Sequence, residues 1–109
     1  MSNEPGELCD QNVAYKADND KPCIRTGVLE YFPLALTEIA RVSSFGSIKY
    51  GWGTWSGIEF GIDRYGDAAL RHAVAQTDTD DESGLLHAAH EAWNAMARLE
   101  LILRERNVK

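Results

Sequence analysis

The sequence is poor in cysteine and has no long apolar run, and both shortages exclude classes of protein. Its 109 residues include only two cysteines, Cys9 and Cys23, without the four closely spaced ligands of a structural zinc site. We therefore expect two free thiols in a reducing compartment. No segment approaches the ~18 uninterrupted apolar residues of a membrane span, and the opening residues MSNEPGE are too polar for a secretory signal. These absences predict a cytoplasmic protein with no membrane partner.

Basic residues are also fewer than acidic ones. Lysine and arginine total 11 against 17 aspartates and glutamates, which gives a formal net charge of −6 at pH 7. Because a broad duplex-binding surface needs a positive field, we expect no duplex nucleic acid partner. The hydrophobic fraction of 44% is ordinary for a globular chain and excludes a disordered one. A chain of this length provides for one domain.

Polar residues fill positions 1–22, which we interpret as an N-terminal arm before a helical domain at 23–109. Strand patterns are weak throughout, whereas three segments have helical periodicity. The first predicted helix begins near Pro33, spans Leu34–Phe45 and ends at Gly46, since proline suits a first turn and glycine a helix end.

The second predicted helix has Asp63 as its N-cap and runs over about Arg64–Gln76. Ser83 can cap the third, in which apolar residues recur at helical spacing: Leu86, Ala89, Trp93, Met96, Ala97 and Leu101. The sequence therefore predicts an all-α fold, a small helical bundle of about three main helices with a Gly/Trp-rich loop between the first two. Because such a core is thin, we also expect a homo-oligomer.

Polar residues on the third helix form the first candidate site. His87 lies one turn from Glu91 and within one turn of His90, and imidazoles at this spacing can share a metal ion. If the second and third helices are antiparallel, His72 and the acidic loop converge on His87. The predicted catalytic residues are His87 and Glu91, and the predicted metal ligands are His72, Asp81, Glu82, His87 and His90. Alternatively, the histidines are hydrogen-bonded packing residues and the acidic run is only a helix cap.

The Gly/Trp-rich loop forms the second candidate site. Its aromatic rings can stack on a base, and cations nearby can hold phosphates through charge-assisted hydrogen bonds. The predicted nucleotide-binding residues are Lys49, Tyr50, Trp52, Trp55, Arg64, Arg71, His72 and Asn94. The alternative for the two loop tryptophans is that they plug a small core.

Three patterns in order resemble the N-terminal domain of the phage and prophage dATP/dGTP diphosphohydrolases. They are Phe45-Gly46 with Lys49-Tyr50-Gly51-Trp52, Arg64-Tyr65 with Asp67–His72, and Asp81-Glu82-Ser83-Gly84 with His87, His90, Trp93 and Asn94. The resemblance covers about residues 20–103 and does not include the MazG-like second domain of larger relatives. It implies a nucleotide ligand and a phage origin, which would place the protein in the host cytoplasm.

Two functions remain open within the nucleotide class. One is a metal-dependent purine nucleotide diphosphohydrolase, or its nucleotide-binding domain, with Mg²⁺ or Mn²⁺ bridging phosphate oxygens and activating a water. The other is an anti-defence sponge that sequesters a cyclic oligonucleotide or a cyclic ADP-ribose type of immune signal without turning it over. A third interpretation is a structural or regulatory phage protein whose polar helix face meets a partner.

Overall fold

The computed structural model describes residues 21–107, and their regular secondary structure is helical apart from one isolated antiparallel bridge between Thr79 and Leu86. The three main helices are α1 (Pro33–Tyr50), α2 (Gly61–Ala73) and α3 (His87–Asn107). The all-α prediction is therefore confirmed. No helix in this part of the chain is long and apolar enough to cross a membrane.

The chain divides into two compact units, with the boundary between Leu36 and Thr37. In the first unit, a short π-helix covers Arg25–Leu29. The Arg25 guanidinium donates to the Glu30 carboxylate at 2.8 Å. Cys23 is disulfide-bonded, so the prediction of a free thiol there is wrong. Sequence spacing alone does not fix the Cα separation of about 4.4–6.8 Å that decides whether a disulfide can form. Residues 1–20 of the predicted arm lie outside the described part of the chain.

Helix α1 begins at Pro33, as predicted, but it continues through Gly46 to Tyr50. The glycine that ends it is Gly51, which has a left-handed φ of 90° and donates its N–H to the Ser47 carbonyl at 2.8 Å. A left-handed residue is the usual end of a helix, and Gly46 does not adopt that conformation. The prediction of Gly46 as the helix end is therefore wrong by five residues.

Helix α2 starts earlier and ends earlier than predicted. Its N-cap is Phe60, which has a left-handed φ of 60°, and Asp63 lies inside the first turn. There the carboxylate faces the positive end of the helix dipole, but it is not the cap that the sequence predicts. The last helical residue is Ala73 rather than Gln76. Between α1 and α2, a 3₁₀-helix covers Thr54–Gly57.

A tight turn before α3 replaces the predicted Ser83 cap. The Asp80 N–H donates to the Leu85 carbonyl at 2.8 Å, and the Gly84 N–H donates back to the Asp80 carbonyl at 2.7 Å. Because these bonds hold the chain in a hairpin-like turn up to Leu86, α3 begins only at His87. The Ser83 hydroxyl accepts from the Leu85 N–H within this turn, so the prediction of Ser83 as a helix cap is wrong.

Helices α2 and α3 pack antiparallel. Gly61 at the start of α2 lies against Leu101 late in α3, whereas His72 at the end of α2 meets His87 at the start of α3. The buried apolar residues among positions 21–107 are few: Val42, Ala89 and Ala97. The expectation of a homo-oligomer rests on such a thin core and stays a prediction.

Candidate functional site

The second unit contains a cavity of about 650 Å³ lined by α1, the Gly/Trp-rich loop, α2, the turn before α3 and α3. This volume is within the range of small-molecule sites. All eight predicted nucleotide-binding residues line it: Lys49, Tyr50, Trp52, Trp55, Arg64, Arg71, His72 and Asn94. The fold therefore brings together side chains from positions 49 to 94 in one concave surface.

Aromatic rings form one wall of the cavity. Trp55, Tyr65 and Trp93 meet edge to face, with ring centroids 5.6–6.3 Å apart. The Tyr65 hydroxyl donates to the Trp55 carbonyl at 2.7 Å, which ties the loop to α2. Trp52, by contrast, is 72% exposed. One loop tryptophan thus packs against the helices, and the other presents its ring to solvent at the cavity.

Tyr65 and Trp93 line the cavity, although neither is among the site residues that the sequence predicts. Both fit the core periodicity of their helices, so nothing in the pattern marks them as site residues. A half-buried aromatic residue can both pack between helices and line a cavity, because one ring face contacts the protein while the rest of the ring meets the cavity.

Three cations lie at the cavity. Arg64 and Arg71 are seven residues apart on α2, which puts them two turns apart on one face, and both are exposed. Neither guanidinium makes a hydrogen bond or ion pair with any residue in the 21–107 range. Lys49 instead pairs with Glu82 and lies 5.0 Å from the Tyr50 ring centroid. Two of the three cations therefore have no hydrogen-bond or ion-pair partner among residues 21–107.

The three histidines form a cluster at the cavity, and two of them, His72 and His90, line it. The His72 and His90 rings stack with centroids 4.6 Å apart and an interplanar angle of 12°. The Nδ1 atoms of His72 and His87 lie 2.8 Å apart. His90 is buried, its Nε2 is 2.7 Å from the Ser83 hydroxyl, and its carbonyl accepts from the Asn94 amide at 2.8 Å.

Asp80 completes this cluster. Its Oδ2 accepts from the Ser83 N–H at 2.8 Å and lies 3.8 Å from His90 Nε2. One ligand atom from each of His72, Asp80 and His87 lies within 4.8 Å of the others, and all three side chains are half-buried. The sequence does not identify Asp80 as a candidate ligand, because three consecutive acids precede the helix and only the turn determines which of them points at the histidines.

The remaining predicted ligands and catalytic residues are placed elsewhere. Asp81 is exposed and does not line the cavity, and Glu82 lines it but pairs with Lys49. Glu91 is exposed on α3 and also lies outside the cavity lining, as does His87. Of the predicted catalytic pair, only His87 therefore belongs to the histidine cluster.

Comparison with known proteins identifies the family. The family model described as dATP/dGTP diphosphohydrolase, N-terminal, matches residues 13–109. The chain belongs to this family. A protein of Salmonella phage PMBT28 named dATP/dGTP diphosphohydrolase is 43% identical over 67 residues, which cover 59% of this chain and 22% of the phage protein. The aligned part thus represents about a fifth of that relative. No solved structure matches the chain.

Electrostatics in this dATP/dGTP diphosphohydrolase N-terminal domain favour the neutral forms of His72 and His90. Burial lowers the pKa of His72, and the neighbouring His90, His87 and Arg71 lower it further, while Asp80 opposes them. Burial also lowers the pKa of His90, with Asp80 again opposing. Neutral imidazoles are the form that binds metal ions.

The pKa of the Asp80 carboxyl is also lowered, but here burial acts against the shift. Burial alone would raise the pKa of Asp80, but hydrogen bonds from Ser83 and the nearby histidines lower it overall. At the cavity, the hydrogen bond to Glu82 raises the pKa of Lys49, so this ammonium is charged at neutral pH. The domain thus presents the Asp80 carboxylate, two imidazoles with lowered pKa values and the charged Lys49 ammonium within one region.

These shifts predict acid sensitivity. The folded-state pKa values of His72 and His90 lie below the ordinary 6.5, so the unfolded chain binds protons more readily than the folded one. The stability that the neutral rings contribute is fully present above pH 6.5 and is lost as pH falls through the lower folded values. Urea unfolding of the metal-free protein from pH 7.5 to 5 should show this decrease, and a His72→Gln, His90→Gln double variant should show a flatter profile. Stability that increases on acidification in this range would contradict the assignment.

Proposed function

We propose that this domain binds a purine deoxynucleoside triphosphate in the cavity and supports its hydrolysis to the monophosphate and pyrophosphate with a divalent ion. The observation that carries the proposal is the convergence of aromatic rings and unengaged cations on one cavity of about 650 Å³. The name of the family and of its phage relative supports the same substrate class.

The base would stack on Trp52. This ring is exposed at the cavity, whereas Trp55 is held by Tyr65 and Trp93. A purine offers a large flat face, and stacking on an aromatic side chain contributes about 1–3 kcal/mol per base. The exposed ring gains most from a ligand, because its apolar surface leaves water only when a base covers it.

The phosphates would lie on α2. Arg64 and Arg71 present two guanidinium groups without partners in the described part of the chain, two turns apart and thus about 10 Å along the helix axis. Guanidinium forks match phosphate oxygens in geometry and charge. Lys49 adds a third charge when its contact with Glu82 is exchanged for a phosphate oxygen.

Hydrolysis would add water to the α-phosphorus and break its bond to the oxygen that bridges to the β-phosphate, so that pyrophosphate leaves. A divalent ion supplies charge neutralisation and an activated water in such a reaction. His72, Asp80 and His87 would hold the ion, because their ligand atoms already lie together. His72 also lines the cavity and so connects the ion to the bound phosphates.

A second candidate function is sequestration of an intact nucleotide signal. The observation that favours it is the position of Glu91, the predicted carboxylate base, which is exposed and lies outside the cavity lining. Cyclic oligonucleotides and cyclic ADP-ribose isomers carry the same bases and phosphates as the proposed substrate. Their binding would use the same aromatic and cationic groups without an ion.

Incubation with dATP or dGTP and a divalent ion distinguishes the two functions. Release of pyrophosphate that is abolished in His87→Ala supports the hydrolase, whereas recovery of an intact nucleotide from the protein on heating supports sequestration. If neither nucleotide is hydrolysed or retained, the proposed function is refuted.

Trp52→Ala tests the base site. We expect nucleotide binding to weaken about 10-fold or more, since one stacking contact of about 1–3 kcal/mol is lost. Stability should change by less than about 0.5 kcal/mol, because the ring is exposed. Isothermal titration calorimetry and urea unfolding measure the two quantities. Trp52→Phe is the matched control and should retain most of the affinity; unchanged binding in Trp52→Ala would refute the stacking role.

A further inference from the structure

We propose that His72, Asp80 and His87 form a site for a transition-metal ion of the Zn²⁺ class, in preference to Mg²⁺. The inference deepens the proposed function, on which the role of the ion in hydrolysis rests. Binding of the ion itself depends only on these three side chains.

The geometry of the cluster already approaches that of a metal site. The Nδ1 atoms of His72 and His87 face each other at 2.8 Å, and a carboxylate oxygen of Asp80 lies within 4.8 Å of one ring nitrogen of each histidine. Two ligands on one Zn²⁺ lie about 3 Å apart, because each is about 2.0–2.2 Å from the ion. Small side-chain rotations therefore bring all three atoms into coordination.

The donor set determines the class of ion. Mg²⁺ prefers an octahedral set of oxygen ligands and retains several waters, whereas two imidazole nitrogens with one carboxylate suit Zn²⁺ and its neighbours in the first transition series. Three protein ligands also leave a position open for water or a phosphate oxygen, which distinguishes a catalytic zinc site from a closed structural one.

Groups behind the ligands hold them in the orientation that coordination requires. The far nitrogen of His87, Nε2, lies 3.3 Å from the Thr77 hydroxyl, so Nδ1 is the nitrogen available to an ion. Asp80 accepts from the Ser83 N–H at 2.8 Å and, as a carboxylate, keeps further lone pairs for an ion. Such supporting hydrogen bonds fix the tautomer and direction of metal ligands.

His90 has a different task in this arrangement. Its ring stacks on His72, and its Nε2 is engaged with the Ser83 hydroxyl at 2.7 Å. It therefore supports the orientation of both His72 and the turn that carries Asp80. The predicted ligands Asp81 and Glu82 are excluded from the site, the first by its exposure and the second by its pairing with Lys49.

Titration of the chelator-treated full chain with Co²⁺ tests the site, since Co²⁺ reports its ligands by visible absorption. We expect one equivalent to bind, to be displaced by Zn²⁺, and to withstand millimolar Mg²⁺. His72→Ala and His87→Ala should each weaken binding by about 100-fold or more, as each removes one of three ligands. Asp80→Asn retains the acceptor for the Ser83 N–H but loses the charge, and it should also weaken binding. Asp67→Asn removes an equal charge from exposed α2 surface and should have no effect.

Three results would overturn the proposal: wild-type protein that binds neither Co²⁺ nor Zn²⁺, undiminished binding in both histidine variants, or displacement of Co²⁺ by Mg²⁺ at similar concentration. Circular dichroism establishes that each variant is folded, and His87→Gln replaces His87→Ala if the latter is not. Nucleotide binding by the metal-free protein is measured separately. If the wild-type protein binds nucleotide but neither Co²⁺ nor Zn²⁺, this proposal alone is refuted. If it binds the metal ion but no nucleotide, the proposed function is refuted.

Discussion

Replacing Arg64 and Arg71 together by alanine is expected to weaken binding of dATP or dGTP by at least about 100-fold, because each charge-assisted hydrogen bond contributes about 1.5–3 kcal/mol. Both guanidinium groups line the cavity and are unengaged within residues 21–107. The corresponding nucleosides, which lack phosphates, should bind the variant and the wild type equally. Calorimetric titration of each ligand measures the difference.

A matched control separates local contacts from net charge. Arg41 and Arg106 are exposed and do not line the cavity, so the Arg41→Ala, Arg106→Ala variant removes the same charge from other surfaces. We expect its affinity to remain within about 2-fold of wild type when measured at an ionic strength where distant charges are screened. Equal losses in the two double variants would contradict a specific phosphate site on α2.

Trp93→Ala is expected to cause the largest loss of stability, about 3 kcal/mol in the free energy of unfolding, near the lower end for aromatic truncation in a core. Trp93 packs edge to face against both Trp55 and Tyr65, at 5.9 and 5.6 Å between centroids. Its removal leaves a gap between the loop, α2 and α3. Urea unfolding monitored by circular dichroism measures the effect.

Trp93→Phe provides the comparison, since it keeps an aromatic ring in the same position and should cost less than Trp93→Ala. Because so few residues among positions 21–107 are buried, neighbouring side chains cannot compensate for the missing indole. A Trp93→Ala protein with wild-type stability would show that this aromatic cluster does not stabilise the fold.

The helices were predictable because their signals are local. The sequence predicts the start of α1 correctly, since proline at a first helical position needs no partner elsewhere in the chain. The ends of the elements depend on more distant contacts. Gly46 and Gly51 are equally good helix stops in sequence, and only the course of the following loop determines which one adopts the left-handed conformation.

The site was predictable in its residue types but less so in its ligand set. Aromatic and basic residues near the Gly/Trp-rich loop are unusual enough to single out, and all the predicted nucleotide-binding residues line one cavity. The choice among Asp80, Asp81 and Glu82 depends on the turn between α2 and α3. That turn is set by backbone hydrogen bonds between Asp80, Gly84 and Leu85 and by the Asp80 and Ser83 side chains that accept from backbone N–H groups. Because all three acids precede the same turn, their order in the sequence does not show which of them points at the histidines.

The turn before α3 has a consequence for communication within the domain. Three residues of this turn make separate contacts. Asp80 lies in the cluster with His72 and His87, Glu82 pairs with Lys49, and the Ser83 hydroxyl is hydrogen-bonded to His90. A phosphate that drew Lys49 away from Glu82 would therefore act on the same short backbone segment that carries Asp80. If the cavity binds a nucleotide and the cluster binds an ion, as proposed, occupancy of either site would change the affinity of the other by an equal factor in both directions.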